Sequence, residues 1–185
     1  MPLTINSSLD PLQPLQPLHP LLNCLQDIKL WMDTNFLHLN DNKTEVIIFG
    51  HNTPTCSYSL GSLTPNIRSS VKNLGVTFDS SFKFHKQIGS VIKSSFFQLR
   101  LISKVKPFLP PKQLEILIHA FISSRLDYCN ALYVGLDQSS VRRLQLVQNS
   151  AARLLTGTKK RDHITPVLAS LHWLPVKFRI DFKSF

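Results

Sequence analysis

The apolar positions of this chain follow one period up to about residue 35, another to about residue 80, and the first again beyond Lys83. Leu21, Leu22, Leu25, Ile28, Leu30, Trp31 and Met32 recur at roughly helical spacing up to about Asn35, and Pro20 stands where the first turn of a helix tolerates proline. Residues 45–49 (EVIIF) form a short β-branched run ended by Gly50, which predicts a buried strand. Pro54, Gly61, Pro65 and Gly75 then punctuate short alternating runs at 56–60 and 71–78, and these predict a small antiparallel sheet with turns. In 84–105, Ile88, Val91, Ile92, Leu99 and Ile102 share one helical face, and Pro107, Pro110 and Pro111 end that helix and start the next. In 112–132 the face is Leu114, Leu117, Ile118, Phe121, Tyr128, Cys129 and Leu132. In 138–155 it is Val141, Leu144, Val147, Gln148, Ala151, Leu154 and Leu155, with Gly157 as the stop. The order of helix, small sheet and helical bundle predicts an α+β fold. The amphipathic run from Val176 stops abruptly at residue 185, and truncation is the expectation there.

Three regions follow from this pattern. Residues 1–20 carry PLQPLQPLHP, with proline every third residue, which suits an extended polyproline II lead-in or a Pro-rich ligand. Residues 21–82 hold the first helix and the sheet, and residues 83–185 hold the helical region.

Charge alters the picture more than size does. A chain of 185 residues with 43% hydrophobic residues has enough apolar material for a core and argues against disorder. The formal charge of +10 is unevenly placed. Residues 1–80 carry four Lys/Arg against six Asp/Glu, a net −2, whereas residues 81–185 carry 17 against five, a net +12. A polyanionic partner for the second half is one reading and a solvated basic surface is the other. The cysteines, Cys24, Cys56 and Cys129, are odd in number, far apart and without a C-x-x-C, so free thiols in a reducing compartment are expected. No basic leader precedes an apolar run and no stretch reaches membrane-spanning length; an intracellular location without membrane partners is the expectation.

Candidate chemistry is confined to cations. Lys86, Lys93, Arg100 and Lys104 fall at steps of seven, seven and four residues, nearly in line and opposite the apolar face of their helix. Arg142, Gln145, Asn149 and Arg153 form a second polar stripe, and Lys159, Lys160 and Arg161 follow as a cluster. Such rows can track a phosphate backbone, and binding through them is salt-dependent. Any amphipathic helix, however, also turns its charges outward. Arg125 falls among Phe121, Tyr128 and Cys129 on the apolar face, so a carboxylate or carbonyl partner is expected for it, with a phosphate contact as the second reading. His163 and His172 have no accompanying ligands for a metal site. No P-loop, G-x-S-x-G or G-x-G-x-x-G occurs, and Asp79 reads as a turn residue.

Four stretches carry a family resemblance. They are LNDNKTEVIIFG (39–50), VKNLGVTFDSSFKF (71–84), RLDYCNALYVGLDQSSVRRLQLVQNSAAR (125–153) and HITPVLASLHWLPVKFRIDFK (163–183). In this order they resemble the reverse transcriptase of LINE-type (non-LTR) retrotransposons, in the part that follows the catalytic Asp pair. The resemblance implies the end of a palm, a primer grip and a thumb or connection region that holds template–primer. It implies that Lys43 occupies the palm lysine position near the incoming nucleotide and that Leu74 and Gly75 form the primer-grip turn; the residues alone read as a turn residue between helix and strand for Lys43 and as an ordinary strand with a Gly bulge for Leu74 and Gly75. It implies RNA, DNA or an RNA–DNA hybrid as partner, with self-association through an exposed palm surface as another expectation. The full family enzyme uses Mg, whereas no Asp-Asp pair occurs in this chain, so neither catalysis nor a cofactor is expected of it alone. A decayed fragment without biochemical function, or an interaction-only remnant, is the alternative expectation.

Overall fold

The computed structural model describes residues 19–49 and 61–184, which divide along the chain into two compact units, one ending at Phe82 and the other beginning at Lys83. The architecture is mixed, mostly helical, with one small antiparallel sheet among the described residues.

In the first unit, α1 spans His19–Thr34. Its apolar positions Leu21, Leu22, Leu25, Ile28 and Met32 are half-buried, whereas Leu30 and Trp31 stay about 60% exposed. The Asn35 side chain donates to the Trp31 carbonyl at 2.8 Å, and Phe36 turns left-handed at φ 57° to end the helix. Strands β1 (Ser70–Asn73) and β2 (Val76–Asp79) pair antiparallel, with Asn73 opposite Val76. The connecting residues Leu74 and Gly75 both have positive φ, 47° and 84°, as a type I′ hairpin turn requires. Asp79 ends the hairpin by accepting from the Ser81 backbone at 3.2 Å and its hydroxyl at 2.8 Å, a turn role.

The 45–49 run departs from expectation. It makes a single parallel bridge, Val46 to Ile67, instead of a strand, and Val46, Ile47 and Ile48 are half-buried. Among the described residues two backbone hydrogen bonds hold it, Val46 N–H to Asn66 and Arg68 N–H to Val46. A β-branched run becomes a strand only where a ladder of partners continues alongside it, and here the partner segment leaves after one residue. The alternating run at 56–60 and the lead-in 1–18 lie outside the described residues.

The second unit is built on α2 (His85–Val105) and α5 (Gln138–Thr156), which pack along each other. Ile88, Val91, Leu99 and Ile102 of α2 are buried, as are Leu144, Val147, Ala151 and Ala152 of α5. Asp137 caps α5, its carboxylate accepting from the Ser140 backbone at 2.9 Å. Gly157 closes the helix at φ 74°, its N–H returning to the Arg153 carbonyl. After α2, Lys106–Phe108 makes one 3₁₀ turn and Pro111 opens α3 (Pro111–Ile118).

The next stretch corrects the reading of 112–132 as one regular helix. His119–Ser123 is a π-turn, followed by α4 (Ser124–Asp127). An undistorted helix would bring residue 125 onto the face of Leu114 and Ile118. The π-turn carries an extra residue and holds the steps of four in register. Leu114, Ile118, Ile122 and Leu126 are therefore the buried row. Arg125, Phe121, Tyr128 and Cys129 are turned outward and exposed, so Arg125 is not the buried guanidinium expected. The buried-side charge is Asp127, which accepts from Arg179 at 2.6 Å. Two short helices finish the unit, α6 (Thr165–Ser170) and α7 (Val176–Lys183), with Trp173 buried between them.

Candidate nucleic-acid interface

The α2 helix places one row of cations opposite its buried row. At about 100° per residue, Lys86, Lys93, Arg100 and Lys104 fall within a sector of about 40°, centred roughly 180° from Ile88, Val91, Ser95, Leu99 and Ile102. All four cations are exposed. Over 18 residues of helix the row runs about 27 Å. No Asp or Glu occurs between Asp79 and Glu115, so no carboxylate of the same helix offsets the row.

Three of the five acids elsewhere in this unit, Asp127, Asp137 and Asp162, hold local structure. Asp127 takes Arg179, and Asp137 caps α5 through the Ser139 and Ser140 hydroxyls and the Ser140 N–H. Those bonds, the Ser139 hydroxyl first, hold the Asp137 carboxyl well below the usual carboxylate range. Asp162 accepts from the Lys159 backbone at 3.1 Å, and Glu115 lies 3.7 Å from the His119 ring. Of the 17 Lys/Arg of this unit, Arg179, Arg153 and Lys106 are part-buried in bonds of their own, and the exposed cations include the α2 row, Arg142, Arg143, Lys159, Lys160 and Arg161.

The second stripe is a structural element instead of an open cationic row. The Gln145 side chain donates to Gln148 and Asn149, both at 2.8 Å, and accepts from the Val176 backbone at 2.8 Å. Gln148, buried, donates to the Leu174 carbonyl at 2.9 Å. Arg153 donates to the carbonyls of Lys160 and Asp162, at 3.4 and 2.8 Å. Of the stripe only Arg142 is exposed, together with its neighbour Arg143. Arg153 instead positions the turn that presents Lys159, Lys160 and Arg161, all exposed, to solvent.

Lys106 belongs to the fold as well, its ammonium donating to the Leu154 carbonyl in the last turn of α5. The stretches 125–136 and 171–175 supply packing: Leu126, Asn130, Tyr133 and Trp173 are buried, and the His119 ring meets Trp173 edge-on at 5.4 Å. Burial raises the Tyr133 phenol above its ordinary value, with a side-chain bond to Gln87 acting the other way.

In the first unit, Lys43 is exposed at the end of the 3₁₀ turn Asp41–Lys43, its N–H bonded to the Asn40 carbonyl at 3.0 Å. Leu74 is 78% exposed at the hairpin tip beside Gly75. His163 and His172 are exposed, and no group of three His, Cys, Asp or Glu is placed to hold a metal ion among the described residues. A cleft of about 360 Å³ beside Gln145, Asn149, Leu168 and Trp173 contains none of the predicted site residues other than these two stripe amides. Among the described residues no helix is long and apolar enough to cross a membrane.

One residue of the α2 surface escaped the sequence reading. Phe97 is 54% exposed and falls about 20° beyond the edge of the cationic sector, next in angle to Lys86 and Lys104. Searching for apolar residues on the apolar face passes over it, whereas asking which apolar residues share an angle with the cations would have found it.

Comparison with protein-family models, with curated proteins and with solved structures found no match to this chain.

Proposed function

We propose that this chain corresponds to the part of a LINE-type reverse transcriptase that follows the catalytic carboxylates, and that it binds template–primer without catalysing polymerisation by itself. In this reading the first unit is the end of the palm with a primer-grip-like hairpin, and the second is a thumb-like helical unit. The observation that carries the binding function is the exposed α2 row Lys86, Lys93, Arg100 and Lys104, with no acid on its helix. Lys159, Lys160, Arg161 and Arg142 add exposed positive charge in the same unit. The hairpin adds a second line of support, because Leu74 and Gly75 sit at a tight turn, where the family resemblance puts its primer-grip loop. A labelled RNA–DNA hybrid, titrated with monodisperse protein at several salt concentrations, tests the reading. Binding that weakens steeply with salt supports it, and no binding by a folded monomer overturns it.

A second reading is favoured by a separate observation. Leu30 and Trp31 of α1, and Phe36 and Leu37 just beyond it, are 49–100% exposed, which is unusual for a row of large apolar side chains. In that reading the chain is an interaction-only remnant that associates through this surface. Concentration-dependent self-association, abolished by Trp31→Glu, distinguishes it from the first.

A further inference from the structure

We infer that the α2 surface is a site for single-stranded nucleic acid, in which an unpaired base stacks on Phe97 while the flanking cations hold its phosphates. This rests on the template–primer reading and deepens it by naming the strand state that the site takes. Phe97 is four residues after Lys93 and three before Arg100, so on the helix it is a direct surface neighbour of both. Lys104, one further turn pair along, lies at nearly the same angle. The ring is 54% exposed on the side of the helix opposite the buried row, so it contributes little to the core.

The chemistry of the patch selects its occupant. A ring set among cations, on a helix without carboxylates, repels basic surfaces and favours a ligand that combines negative charge with flat apolar faces. Unpaired nucleotides combine the two, and platforms for single strands pair aromatic rings with a cationic groove in this way. A duplex keeps its base faces stacked within itself, so it can use the cations and leaves the ring without a partner. The site therefore discriminates between strand states through Phe97 and not through its charge.

The test compares binding of a labelled single-stranded oligonucleotide and a duplex of the same length at fixed salt, for the full chain and for Phe97→Ala, Phe97→Trp and Phe97→Leu. Phe97→Ala is expected to weaken single-strand binding roughly 5- to 150-fold, the range for one lost base–aromatic stack. Duplex affinity and the salt slope stay unchanged. Phe97→Trp restores single-strand binding and its fluorescence is quenched by the oligonucleotide, whereas Phe97→Leu, apolar but not aromatic, does not restore it. Equal loss for both strand states, or no loss for either, overturns the inference while leaving the template–primer reading intact. Absence of binding to any nucleic acid by the folded chain overturns both.

Discussion

The ion pair between Asp127 and Arg179 joins residues 52 positions apart and docks α7 on the end of α4. Its strength can be bounded from its surroundings. Arg179 is 19% exposed and Asp127 32%, which lies between the exposed pairs that contribute up to about 1 kcal/mol and fully buried ones whose disruption costs about 3–5 kcal/mol. A coupling of about 1–2 kcal/mol is expected on that scale. The two single substitutions differ. Arg179→Ala also removes the bond from the guanidinium to the Leu174 carbonyl, and it leaves Asp127 with neither carboxylate oxygen partnered, since the second already has no hydrogen bond. Its cost is expected at about 2–3 kcal/mol, because a half-buried carboxylate is stranded. Asp127→Ala leaves Arg179 its Leu174 bond at 3.0 Å and is expected to cost about 1–2 kcal/mol. Urea unfolding followed by Trp173 fluorescence, in a Trp31→Phe background so that one tryptophan reports, gives both values and the double variant. A loss of about 2 kcal/mol moves the midpoint by about 1 M. Coupling below about 0.3 kcal/mol, within the error of additivity, would refute the reasoning and leave α7 held by its other contacts, among them buried Val176 and Ile180 and the Gln145 bond to the Val176 N–H.

Two other predictions address local geometry. Leu74 occupies the left-handed region at φ 47° while 78% exposed, so Leu74→Asn relieves about 1 kcal/mol of strain at little loss of burial; slower amide exchange in 70–79 is expected, and faster exchange would contradict the turn assignment. Asp137 makes stability pH-dependent: its folded carboxyl titrates below its unfolded value of about 4, so the stability it confers is full above that value and is lost as pH falls below it. Asp137→Asn keeps the cap and is expected to flatten that acid limb in urea midpoints measured from pH 6 to pH 2, while Asp137→Ala lowers the midpoint at neutral pH as well.

The elements whose boundaries are written in residue chemistry were legible in the sequence. Pro20 opens α1, Pro107 to Pro111 divide α2 from α3, and Gly157 ends α5. Each of these acts through its own backbone, so no knowledge of the rest of the chain is needed. What depends on distant partners was not legible. A π-turn has no local signature here, yet it moves Arg125 into solvent and Asp127 toward Arg179. The stripe at Gln145, Asn149 and Arg153 has the spacing of a ligand-facing row, but its partners are the backbones of residues 160, 162 and 176 and the neighbouring Gln148. The run at 45–49 has strand composition without a continuing ladder. The α2 row, by contrast, was readable because a 21-residue amphipathic helix fixes which residues oppose its core. Phe97 was overlooked because its type belongs to the core and its position to the surface.

The salt dependence of hybrid binding by the chain, compared with a variant carrying Lys86→Gln, Lys93→Gln, Arg100→Gln and Lys104→Gln together, tests the central claim most directly. Four phosphate contacts contribute about 3.6 to the slope of log affinity against log salt, or about 150-fold in affinity between 50 and 200 mM. The account predicts that the variant, equally folded by circular dichroism, loses a slope of that size. A variant that binds the hybrid with the same affinity and the same slope would contradict it.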